Sequence, residues 1–199
     1  IRILVFLLTV SLIFTSLFLS SFVVLAETEQ QEENIKITGV QMPNLAANPG
    51  FEDDLANWKL TIKTATIEVD NTVSYEGSKS LKVTAQSGQR GVIDQEYIAV
   101  DPNSIYLLSG YIKTENWTPS TAEATLELYY YDSNKTYITG TYMKVVAPTG
   151  TNDWQKFEVP VLSQAPGASY VRLRLNANKG VGTVWFDNIS FTKIVNPQD

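Results

Sequence analysis

Two short segments near opposite ends of the chain each carry a carboxylate that could take part in binding or catalysis. Asn48–Glu52 reads Asn-Pro-Gly-Phe-Glu and is followed six residues later by Trp58, while Trp185–Ile189 reads Trp-Phe-Asp-Asn-Ile. In a jelly-roll the first and last strands commonly lie close together, so Glu52 and Asp187 could meet at one oxygen-rich site. Two close carboxylates repel each other unless a cation neutralises them or one takes up a proton.

Three interpretations of this carboxylate pair have to be weighed. Calcium prefers oxygen ligands and mixes carboxylates with main-chain carbonyls. Glycosidases use two carboxylates about 5 to 9 Å apart, but nothing else in the sequence marks a deep acidic cleft. In the third interpretation, Glu52 caps a turn and Asp187 accepts backbone hydrogen bonds. We favour calcium and expect no catalytic residues.

The composition excludes several kinds of site and partner. The 199 residues include no His and no Cys. The chain therefore lacks the usual general base, and zinc sites and thiol nucleophiles are excluded. The formal net charge is −6, which argues against a nucleic-acid partner because phosphate backbones bind basic surfaces.

The N-terminal segment predicts export. Residues 3–25 carry no charge, and Val24-Leu25-Ala26 precedes an acidic stretch, as in a cleaved signal peptide covering residues 1–26. An uncharged run of this length could instead stay as a membrane anchor, since about 20 apolar residues span a bilayer. We expect cleavage, no stable membrane association afterwards, and a secreted or cell-surface protein. The lack of Cys suits a bacterial surface.

The remaining chain divides into a flexible acidic spacer at 27–43, one domain at 44–195 and a short tail at 196–199. The domain has the pattern of an all-β protein, with short alternating runs rich in Val, Ile, Leu, Thr and aromatic residues, separated by turn signals. Such spacing predicts a two-sheet sandwich. The alternating runs are 81–85, 106–113, 124–131, 155–161, 171–176 and 183–192.

Five fragments in a fixed order carry a family resemblance. Besides the opening segment, they are Tyr75–Val83, Ile105–Lys113, Asn152–Phe157 and Tyr170–Phe191, the last of which contains the closing segment. With them the chain resembles the carbohydrate-binding modules of the β-sandwich superfamily that includes families four, nine and twenty-two. The resemblance covers about 150 residues. It implies an antiparallel jelly-roll that binds polysaccharides or oligosaccharides without chemistry, and that is often fused to or associated with a glycoside hydrolase.

The same resemblance implies a structural calcium site that pins both chain ends and one loop. Carried over to this chain, the ligands would be the carboxylates of Glu52 and Asp187 with main-chain oxygens of Asn48 and Lys79.

Strand alternation and the resemblance together indicate the sugar-binding residues. Leu126, Leu128 and Tyr130 fit the core face of their strand, and Val171, Leu173 and Leu175 fit that of theirs. The resemblance adds the aromatic Tyr111 of the middle strand and the polar groups Arg174 and Asn176. The sequence around Trp117 predicts a loop on which this residue walls the groove, while Trp58 and Trp154 match core positions. The predicted binding set is Tyr111, Trp117, Glu127, Tyr129, Arg174 and Asn176.

Two alternatives remain open at this stage. One is an adhesion module of the same fold that binds a protein or a cell-envelope polymer. The other is a small hydrolase built on the sandwich itself.

Overall fold

The computed structural model describes residues 40–101, 103–161 and 165–195. The expected signal peptide, the tail and most of the expected spacer lie outside these residues. In the described part of the chain, no helix has the length and hydropathy needed to cross a bilayer.

The described residues form β-strands joined by turns and loops. The alternating runs seen in the sequence all lie within strands, because alternate apolar side chains can enter a core from one face of a strand. The strands are β1 (Val40–Gln41), β2 (Trp58–Lys63), β3 (Thr66–Asp70), β4 (Ser80–Ala85), β5 (Arg90–Gln95), β6 (Ile98–Ala99), β7 (Ile105–Pro119), β8 (Ala124–Tyr131), β9 (Tyr137–Val146), β10 (Gly150–Val161), β11 (Tyr170–Asn178) and β12 (Gly180–Val195).

These strands make two antiparallel sheets. Sheet A has the order β10-β7-β12-β4-β3, with β1 added to β12. Sheet B has the order β2-β5-β11-β8-β9, with β6 added to β11. The predicted all-β, two-sheet antiparallel sandwich is confirmed. Neighbours in both sheets are mostly distant in sequence, so the sheets depend on long-range pairing.

The core lies between the two sheets and follows the predicted alternation. Leu126 and Leu128 of β8 and Leu173 and Leu175 of β11 are completely buried, and they pack with residues of sheet A such as Phe186. Trp58 is also buried in this core, as its position in the opening segment predicts. Full burial of such side chains contributes roughly 1.5–3 kcal/mol each to the free energy of unfolding.

Apart from the two-residue strands β1 and β6, four strands have no counterpart among the alternating runs: β2, β3, β5 and β9. Of these, β2 and β9 are the edges of sheet B, and β3 is an edge of sheet A. An edge strand is less buried, and in β9 apolar or aromatic residues point to both sides. Its sequence therefore lacks the clean alternation that marks a half-buried strand.

Candidate functional site

A row of alternating charges crosses the whole outer face of sheet B. Strand register places Lys59 of β2, Asp94 of β5, Arg174 of β11, Glu127 of β8 and Lys144 of β9 side by side. Opposite charges on directly paired residues stabilise a sheet, and like charges would destabilise it. At about 4.8 Å between strands, the five strands make a face roughly 19 Å across.

Arg174 and Asp94 form the centre of this row. Arg174 donates from Nε to Asp94 Oδ1 at 2.6 Å and from Nη2 to Oδ2 at 3.1 Å, and Thr61 donates its hydroxyl to Oδ2 at 2.7 Å. The Asp94 side chain is 2% exposed. Burial alone would lower the pKa of Arg174, but the hydrogen bonds and charge of Asp94 outweigh it and raise that pKa. Arg174 therefore remains a fixed cation.

Glu127 is the other carboxylate in the row, and it is buried in a closed hydrogen-bond network. It accepts from the hydroxyl of Thr125 at 2.5 Å, the hydroxyl of Tyr129 at 2.7 Å and the amide of Asn176 at 3.1 Å. Burial and the bond to Glu127 raise the pKa of Tyr129 to about 12. Both carboxylates of the face are thus engaged within the protein.

Tyrosine rings continue the same face towards one end of the sheet. Six of the ten tyrosines of the chain form an unbroken series of ring contacts, with centroids 5.0 to 6.1 Å apart. Cations lie over three of these rings: Arg174 over Tyr129 at 4.6 Å, Arg172 over Tyr97 at 5.0 Å, and Lys135 over both Tyr97 at 4.9 Å and Tyr170 at 5.5 Å. We call this series the tyrosine ladder; in order its members are Tyr170, Tyr97, Tyr131, Tyr137, Tyr129 and Tyr142.

A cleft of about 660 Å³ opens at the other end of the face. The loop between β7 and β8 forms one side of it, and the ladder residues Tyr129 and Tyr142 also line it. Its polar lining combines amides, hydroxyls and both signs of charge, which are the groups that hydrogen-bond sugar hydroxyls. These polar groups belong to Arg90, Ser120, Thr121, Glu123, Thr125, Glu127, Lys144, Asn176 and Asn178.

Four of the six predicted sugar-binding residues meet on this face. Glu127, Tyr129 and Asn176 line the cleft, and Arg174 lies beside them over the Tyr129 ring. Glu127 and Asn176 lie on the side of their strands opposite to the predicted core face, yet both are only 6% exposed. Hydrogen bonds within the sheet satisfy both buried side chains.

Tyr111 does not join that group. It lies on β7 in sheet A, where it pairs with Asp187 of β12 and Lys156 of β10. The two sheets are separated by the core, so Tyr111 cannot share a face with Tyr129. This corrects the prediction that both residues line one groove.

The predicted loop position of Trp117 is also wrong. Trp117 lies inside β7 and is 1% exposed. Its indole packs over Gly180, where a Cβ would come within 2.4 Å of Trp117 Cη2. The absence of a side chain at position 180 therefore makes the space that buries this ring.

Three of the four predicted metal ligands line a second cleft of about 490 Å³: Asn48, Glu52 and Asp187, without Lys79. Glu52 accepts from the amides of Ser78 and Lys79 at 2.9 and 3.0 Å and from the Ser78 hydroxyl at 2.7 Å. These hydrogen bonds lower the pKa of Glu52.

Asp187 faces the same cleft from the last strand. It accepts from the amides of Tyr75 at 2.7 Å, Glu76 at 3.1 Å and Asn188 at 2.6 Å. Burial raises the pKa of Asp187, the three hydrogen bonds oppose that rise, and the nearby charge of Glu52 adds to it. Both predicted carboxylates therefore accept backbone hydrogen bonds, as the third interpretation expects, while they also approach each other.

The other two predicted ligands have different partners. The main-chain oxygen of Asn48 already accepts from Trp58 Nε1 at 3.0 Å and from the Phe51 amide at 3.3 Å, which leaves it little capacity for a metal. For Lys79 the prediction concerns its main-chain oxygen, whereas its side-chain amine donates to the main-chain oxygen of Glu52 at 2.9 Å and pairs with Asp54 at 2.8 Å.

Several cleft residues escape prediction from the sequence. Tyr142 and Lys144 lie on β9, and Arg90 lies on β5, two strands that the alternation does not reveal. Tyr142 is 50% exposed and stacks on Tyr129 with centroids 5.6 Å apart. The spacing of Tyr142, Lys144 and Val146 is the local signal that could have identified the face of β9.

Curated relatives match most of this chain. The tRNA(Glu)-specific nuclease WapA of Bacillus subtilis subsp. natto is 26% identical in an alignment of 162 residues that covers 75% of this chain. The match takes up 7% of the length of that nuclease, so the chain corresponds to a small part of it.

Solved structures share the fold over nearly their whole length. A family 16 carbohydrate binding module has a TM-score of 0.56 and 21% identity, with 74% of this chain and 99% of the module covered. A cyclase from Fischerella sp. TAU has a TM-score of 0.59 and 17% identity, with 80% of this chain and 99% of the cyclase covered.

The family profile described as carbohydrate binding domain matches residues 43–180. That match includes the opening segment, both clefts in large part and every strand of sheet B. It agrees with the resemblance carried by the sequence fragments. The chain belongs to the carbohydrate binding domain family.

Proposed function

We propose that this chain is a secreted, non-catalytic module that binds polysaccharide chains across the outer face of sheet B. One observation carries the proposal: the tyrosine ladder runs directly into a cleft lined by amides, hydroxyls and charged groups. Sugars present apolar C–H faces beside rings of hydroxyls. Such a ligand needs flat aromatic rings and hydrogen-bonding groups next to each other.

The state of the two carboxylates supports a binding role rather than hydrolysis. A general acid needs a raised pKa and access to the glycosidic oxygen, and its partner must be free to act as base or nucleophile. Asp94 is held by Arg174 and Thr61, and Glu127 accepts three hydrogen bonds within the sheet and its ladder. Their roles are to hold Arg174 and Tyr129 in place.

The proposal includes delivery of an attached or associated protein, such as a glycoside hydrolase, to a polysaccharide surface. The expected export signal and the small share of WapA that this chain matches support a module that works within a larger extracellular system.

We further propose calcium at the second cleft, in a structural role. An ionised carboxylate has about four acceptor positions. Glu52 and Asp187 each use three, which leaves one each on Glu52 Oε2 and Asp187 Oδ1. Asp187 Oδ1 lies 3.4 Å from the Cβ position of Gly50, which Glu52 also borders. No Lys or Arg of the described residues forms an ion pair with Asp187, so a cation would neutralise it.

The glycan proposal is tested by electrophoresis in gels that contain xylan, mixed-linkage glucan, galactan, mannan or peptidoglycan fragments. At least one should retard the protein, with a Kd in the micromolar to millimolar range. Tyr142→Ala should weaken this by about 1 kcal/mol, while Tyr142→Phe retains it. If no gel retards the wild type, the adhesion alternative is favoured. Release of reducing sugar that disappears in Glu127→Gln would overturn the non-catalytic assignment.

A further inference from the structure

Strongly exposed aromatic side chains occur at two separate places among the described residues. Tyr137 and Tyr142 belong to the tyrosine ladder on sheet B, with exposures of 37% and 50%. Tyr75 is 44% exposed and lies against sheet A, on the opposite side of the sandwich. The proposed site on sheet B does not use Tyr75.

The Tyr75 ring is held as a flat surface with one face covered. It stacks on Tyr111 with centroids 3.5 Å apart and an angle of 14° between the planes. Trp154, which is partly exposed rather than buried in the core as the sequence predicts, meets it edge-on at 6.2 Å. Because Tyr111 covers one face, the exposed area of Tyr75 lies on the other face, and Trp154 forms a wall beside it.

Contacts with Asp187 and Glu52 hold the loop that carries Tyr75 in place. Asp187 accepts the amides of Tyr75 and Glu76, at 2.7 and 3.1 Å. Gly77 follows with φ of +69°, and a Cβ there would lie 2.3 Å from Glu52 Oε1. These contacts set the ring position before any ligand arrives, which lowers the entropy cost of binding.

Hydrogen-bonding groups surround the ring. Lys156 is paired with Tyr111 in the strand register and bonds Glu158 at 2.6 Å. Lys113 pairs with Asp153 at 2.8 Å, next to Trp154. On the loop side, the Asn188 amide donates to Glu76 at 2.6 Å. All of these groups are at least partly accessible and of mixed charge, as hydroxyl-rich ligands require.

We infer that Tyr75, Tyr111 and Trp154 form a second glycan-binding surface on sheet A, with Tyr75 as the stacking ring, Tyr111 as its support and Trp154 as a side wall. The occupant is a polysaccharide whose sugar rings expose a C–H face. The inference shares its ligand class with the proposed function but none of its residues. A module with a glycan surface on each sheet can hold two chains at once.

Trp154 gives a local reporter for this surface. The chain has four tryptophans, and Trp58, Trp117 and Trp185 are 5%, 1% and 5% exposed. Trp154 is the partly exposed one, and the outer face of sheet B presents no tryptophan. A ligand-induced change in the Trp154 indole N–H signal therefore reports sheet A.

The test compares the wild type with Tyr75→Ala, Tyr142→Ala and the double variant, at a fixed calcium concentration. Each is run in gels containing xylan, mixed-linkage glucan, galactan or mannan, and each is titrated with xylohexaose or cellohexaose while the indole signals are followed by NMR. Tyr75→Phe keeps the ring and Val181→Ala removes an exposed apolar group elsewhere on β12, so both serve as controls. Melting temperatures confirm folding.

Each single variant should keep part of the retardation, and the double variant should lose it. For a glycan that binds the wild type, Tyr75→Ala should weaken the affinity obtained from the Trp154 indole N–H signal roughly tenfold. Tyr142→Ala should leave that affinity unchanged. If Tyr75→Ala migrates as wild type in every retarding gel, the second surface is refuted and the site on sheet B stands. If only Tyr75→Ala abolishes retardation, the second surface stands and the site on sheet B fails. No retardation of the wild type counts against both.

Discussion

Arg174 and Asp94 form a two-point ion pair at the centre of the outer face of sheet B, with Arg174 Nε 2.6 Å from Asp94 Oδ1. The pair holds the guanidinium over the ring of Tyr129 at 4.6 Å. Arg172 approaches the same carboxylate at 3.7 Å. One buried carboxylate thus fixes two cations on the proposed binding face.

The ion pair predicts that Arg174→Ala destabilises the fold, beyond the loss of a predicted sugar-binding side chain. Removing one partner of a buried pair leaves an uncompensated charge and costs roughly 3–5 kcal/mol. Arg172 offsets part of this, so we expect a loss of about 3 kcal/mol, measured by denaturant unfolding. Arg90→Ala is the control, since the hydrogen bond of the Arg90 side chain to Asn176 is long, at 3.4 Å. Equal stability of the two variants would contradict the prediction.

Burial of Trp117 predicts a structural role. Trp117→Ala should lower the free energy of unfolding by about 4 kcal/mol because it empties core volume. If Trp117 instead formed the wall of a groove, Trp117→Ala would lose glycan affinity and keep the melting temperature of the wild type.

Gly180 supplies a matched test of the same packing. Gly180→Ala should cost about 1–3 kcal/mol through overlap with the indole, since a Cβ would lie 2.4 Å from it. In a Trp117→Phe background the smaller ring leaves room, so the cost of Gly180→Ala should fall. Equal costs in the two backgrounds would show that the indole is not the obstacle.

Asp70 predicts a loss of stability in acid. Burial would raise the pKa of Asp70, but hydrogen bonds from Thr72 and from Trp185 Nε1 outweigh it and lower that pKa to about 2. A lowered pKa contributes stability above the unfolded value of 3.8 that is lost as the pH falls through the folded value. Its size is about 2 kcal/mol.

Thermal unfolding between about pH 4 and pH 2 checks this prediction. Asp70→Asn should be less stable than the wild type at neutral pH, and its stability should change less over that interval. Glu68→Gln is the control, because Glu68 is 53% exposed and contacts Lys82 alone among the described cations. If the stability of Asp70→Asn falls over this pH interval as steeply as that of the wild type, other groups cause the loss of stability in acid.

Calcium should raise the melting temperature of chelator-treated protein, since an ion that binds the folded state alone stabilises it. Asp187→Asn should remove most of that increase, whereas Asp53→Asn, an exposed neighbour in the same cleft, should retain it. Binding to the face of sheet B should change little at room temperature. If calcium leaves the melting temperature unchanged, hydrogen bonds from backbone amides alone satisfy the carboxylates of Glu52 and Asp187.

The sequence by itself determined the sandwich and the sides of β8 and β11 that enter the core. Leu126, Leu128, Leu173 and Leu175 are all buried as their alternation predicts, because the side-chain period of a strand is a local property of its backbone. The family segments, including the two carboxylates at the second cleft, were also visible in the sequence.

Only the tertiary structure decided which strands are neighbours and which polar groups become buried. Sheet pairing joins residues far apart in sequence, so alternation could not show that Tyr111 lies in sheet A while Tyr129 lies in sheet B. It also could not show that Asp94 would hold Arg174, or that Gly180 would leave space for Trp117. The face of a strand follows from its own residues, whereas the partners of that face follow from long-range hydrogen bonding and packing.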